Sequence, residues 1–395
     1  MYLNEFLKSR IVSGMRTTGP LHIGHYQGVL KNWLVLQKKH ECFFFAADLH
    51  AITTQYKNTY HIKERTINMI LEWLSVGINP ERSNIFVQSL LPEHSELHLL
   101  LSMITPMNWL NRVPSYKDQK NDKSTYGFLG YPVLQSSDIL LYQPNYVPIG
   151  EDQISHIEIT RKIARKFNFM YGKKINIIDD IENIFKILGK KERKSFLYYM
   201  KMYKKNNTVV FLRKANEIII KLLKNYRKKK LSKFISNKNS FKEPQFLLGK
   251  YSKLLGYDGK KMSKSYNNTI GLLESPENIK MKIKKMVTDP KRTKIMYPGV
   301  PENCSVWEYH KSYSNSEEQT FIYQSCTSAK IGCFDCKNIL SDRINSNHYP
   351  IRKKYNLLKK NKGYVLEIVK KGTFNAKKVA SKTLLDVKEA IGLLI

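Results

Sequence analysis

The apolar positions of this chain fall into two regimes: short buried runs toward the amino terminus and helix-spaced positions toward the carboxyl terminus. Arg10-Ile11-Val12-Ser13-Gly14 reads as a short buried strand, and Thr17-Thr18-Gly19-Pro20 is turn chemistry. From Gly24 onward Val29, Leu30, Trp33, Leu34 and Leu36 recur at helical spacing. The run from Phe43 to Thr53 predicts a buried strand ending in polar groups, with Asp48 and His50 at its carboxyl end, where a parallel sheet would have them face a ligand pocket. Between Tyr131 and Leu140 a helix would carry Gln135 and Asp138 on one face, at i and i+3. Val147-Pro148-Ile149 predicts a strand leading into a helix that begins near Glu151, and the acidic Glu151 and Asp152 suit its dipole. Beyond about residue 291 the pattern is helical, over 328–342, 349–360, 364–371 and 376–394, with basic residues on the other faces.

Two short strings add chemistry. His22-Ile23-Gly24-His25 stands where the first strand and its turn run into a helix, and free N–H groups at a helix start make a cradle for phosphate. Two imidazoles add donors there, and Gly24 keeps side-chain bulk away from a bound nucleotide. The alternative is a pair of ordinary surface histidines. Asp258-Gly259-Lys260-Lys261-Met262-Ser263-Lys264-Ser265 is a loop with three lysines and two hydroxyls, suited to closing over a triphosphate and following its charge as it leaves. Lysine runs are frequent in this chain; the embedded Met-Ser and the Asp-Gly turn set this one apart.

Composition bounds the rest. The 395 residues suffice for two or three domains with a sizeable core. No apolar run approaches a membrane span and Met1-Tyr2-Leu3-Asn4-Glu5 lacks the apolar core of a signal peptide, so a cytoplasmic protein without membrane association is expected. Five cysteines, three of them clustered, suggest a reducing compartment and metal ligation in place of disulfides. A formal net charge of +34 suits a polyanionic partner, although lysine, asparagine and isoleucine are abundant throughout.

In this order, the His22–His25 and Lys261–Ser265 strings resemble the two nucleotide-binding motifs of class I aminoacyl-tRNA synthetases. Residues 13–19, 48–53, 131–142 and 150–153 resemble landmarks of the tryptophanyl-tRNA synthetase family, so that the likeness covers most of the chain. The resemblance implies an α/β fold, a Rossmann-like parallel sheet with a helical C-terminal domain, in a homodimer that joins L-tryptophan to tRNA(Trp) using ATP and Mg²⁺. It implies catalytic roles for His22, His25, Lys261 and Lys264. It places Arg16, Thr17, Thr18, Gly24, Gly150, Glu151, Asp152, Met262, Ser263 and Ser265 around ATP as well. Asp138 would accept the indole N–H, Gln153 and Tyr131 would hold the substrate ammonium, and His50 and Gln135 would complete the pocket.

The tyrosyl family is the competing reading, because Tyr131-x3-Gln135-x2-Asp138 also resembles its pocket. That family usually places a tyrosine on the first strand, where this chain offers Ile11, Val12 and Ser13. Gln135 and Arg16 depart from many tryptophanyl enzymes and agree with a subgroup. A degenerate, RNA-binding relative would have no use for an intact adenylate site, and a small-molecule nucleotidyltransferase would not need the cysteine-bearing helices.

The expected domains are a catalytic part over 1–172 and 243–290, a lysine-rich insertion over 173–242, and a helical anticodon-binding part over 291–395. Cys304, Cys326, Cys333 and Cys336, spaced x21, x6 and x2, could hold a metal cluster or zinc. The resemblance implies a four-iron four-sulfur cluster, because some members of the family use a similar pattern with x22 in the first gap. Cys42 falls on a strand and is expected in the core. The insertion is expected to be a tolerated surface elaboration, with a tRNA-contacting arm as the alternative.

Overall fold

The structure is a computed structural model and describes residues 9–113, 125–172, 189–206, 240–249, 254–260 and 262–393, with isolated positions between 210 and 218. Five parallel strands make one sheet: β1 (Arg10–Arg16), β2 (Glu41–Ala47), β3 (Ser83–Val87), β4 (Tyr146–Ile149) and β5 (Gln245–Leu248). Their order is β3-β2-β1-β4-β5. β2 is buried from Cys42 to Ala47, which is why it reads as an unbroken apolar run: a strand covered on both faces has no reason to alternate. Cys42 lies in the core, as expected. The chain leaves β1 toward β2 on one side and returns through β4 on the other. A parallel sheet places its ligand crevice at such a reversal, beyond the carboxyl ends of the strands.

The helical stretch after β1 opens as α1 (Ile23–His25), widens into a π turn over Tyr26–Leu30 and continues as α2 (Lys31–Leu36). Trp33 stacks on Phe44 of β2 at 4.1 Å and meets Trp73 edge-on at 5.1 Å, which locks this stretch to the sheet and to α4 (Ile62–Val76). Two expectations are corrected here. The strand predicted through Thr53 stops at Ala47, and Asp48 opens helix α3 (Asp48–Gln55). The Asp48 carboxylate accepts the backbone N–H groups of Leu49 and Ser89 and the Ser89 hydroxyl, so it caps a turn and does not face the pocket. After β4 a single 3₁₀ turn over Glu151–Gln153 intervenes, and the regular helix α8 begins at Ile154 (Ile154–Tyr171).

Helices α5 (Glu93–Ser102), α6 (Met107–Leu110) and α7 (Tyr126–Leu140) lie between β3 and β4. Helix α9 (Lys190–Asn206) belongs to the expected insertion, most of which lies outside the described residues. The carboxyl-terminal part comprises α10 (Pro276–Lys284), α11 (Ser305–Tyr313), α12 (Ser316–Thr327), α13 (Cys333–Lys360) and α14 (Lys362–Ile391). The separate helices expected over 328–342 and 349–360 are one, running through Pro350, because Ile344, His348 and Ile351 continue a single buried face. Those expected over 364–371 and 376–394 also merge. A Cβ at Gly372 would stand 1.9 Å from the Ile85 carbonyl oxygen, so this glycine lets α14 press against edge strand β3.

The chain divides into two compact units, residues 1–166 with 241–385, and residues 167–240 with 386–395. The first holds the sheet and a core in which Ile351, Val365, Ile368 and Val369 join Ile70, Trp73 and Leu74. In the second, Phe196 of α9 is fully buried. Among the described residues no helix is long and apolar enough to cross a membrane.

Candidate active site

A cavity of about 380 Å³ opens at the carboxyl ends of β1, β2 and β4, a volume suited to one small ligand. Its walls are Val12 to Arg16 of β1, Phe45 and Ala47 of β2, His50, Thr53 and Thr54 of α3, Phe128, Tyr131, Gln135, Asp138 and Ile139 of α7, and Val147 to Gly150, Gln153 and His156. Gly14 is required on this wall: a Cβ there would lie 2.4 Å from the Phe45 ring that lines the cavity.

Asp138 stands at the inner end and is fully buried. Its Oδ2 accepts a hydrogen bond from His50 Nε2 at 2.7 Å, and its Oδ1 accepts from Gln88 Nε2 at 2.7 Å and His94 Nδ1 at 2.6 Å. Burial alone would raise its pKa, but the charge and hydrogen bonds of His50 and His94 hold the carboxyl well below the usual carboxylate range. It is therefore an ionised acceptor inside an aromatic-lined cavity. Across from it the Tyr131 hydroxyl donates to His156 Nε2 at 2.7 Å, and His156 Nδ1–H donates to Gln153 Oε1 at 2.8 Å. Burial holds His156 down at about 4, so the neutral ring can act as the link between the two polar groups.

The second part of the site is built by α1 and the lysine loop. Residues 21–23 pair antiparallel with 270–272: Ile23 N–H donates to the Ile270 carbonyl at 3.0 Å and Leu272 N–H to the Leu21 carbonyl at 2.9 Å. The loop is braced internally by Ser263 N–H on Asn268 Oδ1 and Asn268 Nδ2 on Asp258 Oδ1, both 2.8 Å. Lys264 reaches over the Thr17-Thr18-Gly19 turn, where a Cβ on Gly19 (φ +140°) would lie 3.4 Å from its Nζ. Desolvation lowers the Lys264 pKa to about 8, opposed by the Glu72 carboxylate and reinforced by the Arg65 and Arg16 guanidiniums. Crowded cations with too little counter-charge describe an anion site.

His22 and His25 stack with ring centroids 3.6 Å apart. Burial, and then the charge of Lys264, lower His22 to about 4, and burial, then His22 and Lys264, hold His25 well below the usual imidazole value. Both are neutral donors at pH 7. His25 Nδ1 accepts the His22 backbone N–H at 3.2 Å, which leaves its proton on Nε2. The hydroxyl of buried Thr17 and Nδ1 of His22 have no hydrogen-bond partner among the described residues. A Cβ on Gly24 would lie 2.9 Å from His22 Nδ1 and 3.2 Å from Met262 Sδ. Gly24→Ala is accordingly expected to push the loop off the helix start and raise the KM for ATP about tenfold or more, with an unchanged circular dichroism spectrum. An unchanged KM would show that the loop does not close on this glycine.

Beneath the turn lies Glu72 of α4, 3% exposed, whose two oxygens accept the Leu21 N–H at 3.3 and 3.2 Å. Burial raises its pKa to about 7, against the lowering by the Leu21 hydrogen bond and by Lys264. A carboxyl raised on folding binds its proton more tightly in the native state, so its contribution to stability is present below the unfolded value near 4.5 and is lost as pH rises through about 7. Glu72→Gln keeps an acceptor for Leu21 and removes the titration. The stability difference, variant minus wild type, is expected to grow by roughly 2–3 kcal/mol between pH 4.5 and pH 8 in urea unfolding. A difference independent of pH would contradict this.

Of the residues singled out from sequence, Arg16, His50, Tyr131, Gln135, Asp138, Gly150 and Gln153 line the cavity. His22, Gly24, His25, Met262 and Lys264 gather with Thr17 and Gly19 at the anion site. Thr18 lies in the same turn, and Ser263 precedes Lys264 in the braced loop. Glu151 and Asp152 are exposed and do not line the cavity. Lys261 and the side chain of Ser265 lie outside the described residues. Gln88, His94, Tyr142, His156 and Glu72 were not anticipated. His156 was within reach of sequence reasoning, three residues after Gln153 on one helical face.

The four carboxyl-terminal cysteines converge without pairing. One Arg292 guanidinium nitrogen donates to Cys326 Sγ at 3.7 Å and to Cys333 Sγ at 3.9 Å. Burial, then proximity to Cys304, Cys326 and Cys333, pushes the Cys336 thiol up to about 12. Among the described residues no three His, Cys, Asp or Glu side chains are disposed to hold a single metal ion.

A parallel sheet with its cavity at the strand reversal, a histidine-bearing helix start and a lysine loop paired to it together define a class I nucleotide-activating enzyme. The chain belongs to the class I tRNA synthetases of the tryptophan and tyrosine group (W and Y), whose family model matches residues 7–233 and 213–348. Within that group, curated relatives at 30–41% identity over nearly the whole chain are tryptophan–tRNA ligases. It is 41% identical to the tryptophan–tRNA ligase of Ralstonia nicotianae, over 97% of this chain and 98% of that one. It is 40% identical to the tryptophan–tRNA ligase of Thermotoga maritima, over 98% and 99%. The solved tryptophanyl-tRNA synthetase of Campylobacter jejuni, complexed with ADP and tryptophan, superposes with a TM-score of 0.74 at 29% identity, covering 97% of this chain and 99% of that one.

Proposed function

We infer that the chain joins L-tryptophan to tRNA(Trp), forming tryptophanyl-adenylate from ATP as the intermediate. One observation carries this reading: an ionised, buried Asp138 at the inner end of an aromatic-walled cavity, beside an anion site of crowded cations. The full-length likeness to tryptophan–tRNA ligases supports it. Asp138 accepts the indole N–H, a demand that phenylalanine cannot meet. The Tyr131–His156–Gln153 relay orients polar atoms toward the substrate ammonium. β1 presents Val12, Ser13 and Gly14 to the cavity and no tyrosine, which favours tryptophan over tyrosine as substrate.

In the first step the substrate carboxylate oxygen attacks the α-phosphorus of ATP, the bond to the bridging oxygen breaks, and pyrophosphate leaves with the electron pair. No protein nucleophile is needed; positioning and charge stabilisation do the catalysis. Lys264, and Lys261 beside it in sequence, follow the negative charge moving onto pyrophosphate. The neutral imidazoles of His22 and His25 offer N–H groups without adding charge, and Mg²⁺ enters with the triphosphate. In the second step the 2′-hydroxyl of the terminal tRNA adenosine attacks the carbonyl carbon and AMP departs. The helices after residue 291 and their basic faces read the anticodon by contacts to unstacked bases. The enzyme acts as a cytoplasmic homodimer. Charging assays with tRNA(Trp) and tRNA(Tyr) test the assignment: tryptophan esterified to tRNA(Trp) is expected, and tyrosine esterified to tRNA(Tyr) would overturn it.

Cys304, Cys326, Cys333 and Cys336 are proposed to hold a four-iron four-sulfur cluster. One ion requires four sulfurs about 2.3 Å from a single point, whereas a cluster holds its cysteines wider apart around irons and sulfides. The Arg292 guanidinium against two of the sulfurs supplies positive charge to thiolates. The cluster would cross-link the loop before α11 to α12 and α13, a structural role. Anaerobically purified protein is expected to be brown with about four irons per chain, and Cys333→Ser to lose them; a colourless protein containing zinc would contradict the cluster.

A further inference from the structure

Asp138 is set up from behind by residues that the substrate never touches. Its two oxygens differ. Oδ1 already accepts two hydrogen bonds, from Gln88 and His94, whereas Oδ2 accepts from His50. A carboxylate oxygen has two lone-pair positions, so Oδ2 retains one. His50 lines the cavity; Gln88, His94 and Tyr142 do not. All three are buried to 0% exposure. An ionised carboxylate can only accept, so His94 Nδ1 carries a proton; in the neutral ring Nε2, 2.8 Å from the Tyr142 oxygen, then accepts the Tyr142 proton. Tyr142 in turn is pinned by stacking on Phe43 at 5.0 Å, and Phe43 belongs to interior strand β2.

We propose that Tyr142 and His94 are positioning residues for substrate selection: the chain Tyr142 O–H to His94 Nε2, and His94 Nδ1–H to Asp138 Oδ1, orients Asp138 so that Oδ2 receives the indole N–H. The inference rests on the reading of Asp138 as the indole acceptor. Without the Tyr142 proton, His94 Nε2 becomes a buried acceptor with no donor. The ring then shifts to find another donor for Nε2, or takes up a second proton and pairs with the carboxylate as a cation. Either change turns or weakens the acceptor that meets the indole. Neither residue touches the substrate, so the effect falls on discrimination by the N–H and not on binding of the ring.

The test compares activation of tryptophan with activation of 3-(benzothiophen-3-yl)alanine, an analogue of the same shape with sulfur in place of the N–H. Pyrophosphate exchange gives kcat/KM for each. Wild-type protein is expected to prefer tryptophan by about 10³-fold or more. Tyr142→Phe, which removes one oxygen and keeps the stacked ring, is expected to reduce that preference about tenfold while kcat/KM for the sulfur analogue changes little. His94→Asn keeps a donor toward Asp138 and severs the link to Tyr142, and is expected to behave alike. A merely structural role would lower both substrates in parallel, and an unchanged ratio in a folded Tyr142→Phe protein would overturn the proposal. Asp138→Asn separates the two levels of inference. A preference that collapses in Asp138→Asn but survives Tyr142→Phe sinks the positioning role alone, and a preference that survives Asp138→Asn sinks the reading of Asp138 with it.

Discussion

Lys264→Ala lowers the turnover of tryptophan-dependent pyrophosphate exchange by about 10²–10³-fold, the scale expected when one preorganised charge is removed from a site where charge develops. The side chain does little for the fold: it lies over a turn and makes no ion pair within 4.0 Å among the described residues. Its proximity to Arg16 and Arg65 opposes its charge, and a triphosphate relieves that opposition. The same geometry gives a pH signature. A lysine whose pKa is lowered to about 8 loses its proton as pH passes through that value, and only the charged form attracts the phosphates. In the native enzyme kcat/KM for ATP, which reports the free protein, therefore falls above about pH 8. Lys264→Arg, charged throughout, removes the fall even if its rate is lower. Stopped-flow or exchange measurements across pH 6.5–9.5 decide this, and a flat native profile would dissociate Lys264 from ATP capture.

The second large effect is expected at Asp138. Asp138→Asn reduces kcat/KM for tryptophan by about 10²–10³, because the amide turns a donor toward one of three donors already aimed at the carboxylate and weakens what remains for the indole. Activation of phenylalanine, which brings no N–H to the site, falls far less. The loss is thus in substrate choice, and equal losses for both amino acids would point to a collapsed cavity. Thermal unfolding of the variant distinguishes the two, since a folded protein with altered preference and an unstable one with general loss are separate results.

Sequence carried the two nucleotide-binding strings and much of the cavity for a physical reason. Gly24, Gly19 and the Asp258-Gly259 turn are local backbone requirements, and Gln135 with Asp138 share a helical face over three residues. Such features are written within a few positions of one another. Gln88 and His94 meet Asp138 across sequence separations of 50 and 44 residues, and Glu72 meets Leu21 across 51. No periodicity encodes those meetings; each residue alone reads as a polar position in an ordinary helix or strand end. The same holds for Gly372, whose use is visible only once β3 lies beneath it. Asp48 failed as a pocket residue because a polar residue at a strand end can equally cap the next turn, which is what its oxygens do here. The carboxyl-terminal helices are fewer than the apolar runs suggest, because tertiary packing of Ile344, Ile351 and Val369 holds each helix continuous through Pro350 and Gly372.

The most direct measurement is amino-acid-dependent pyrophosphate–ATP exchange with purified protein, run in parallel with tryptophan and with tyrosine. Exchange with tryptophan and none with tyrosine is the predicted result, joining the adenylating site and the Asp138 pocket in one observation. Exchange with tyrosine alone would keep the fold and the chemistry and contradict the substrate, and no exchange with either would contradict the enzyme.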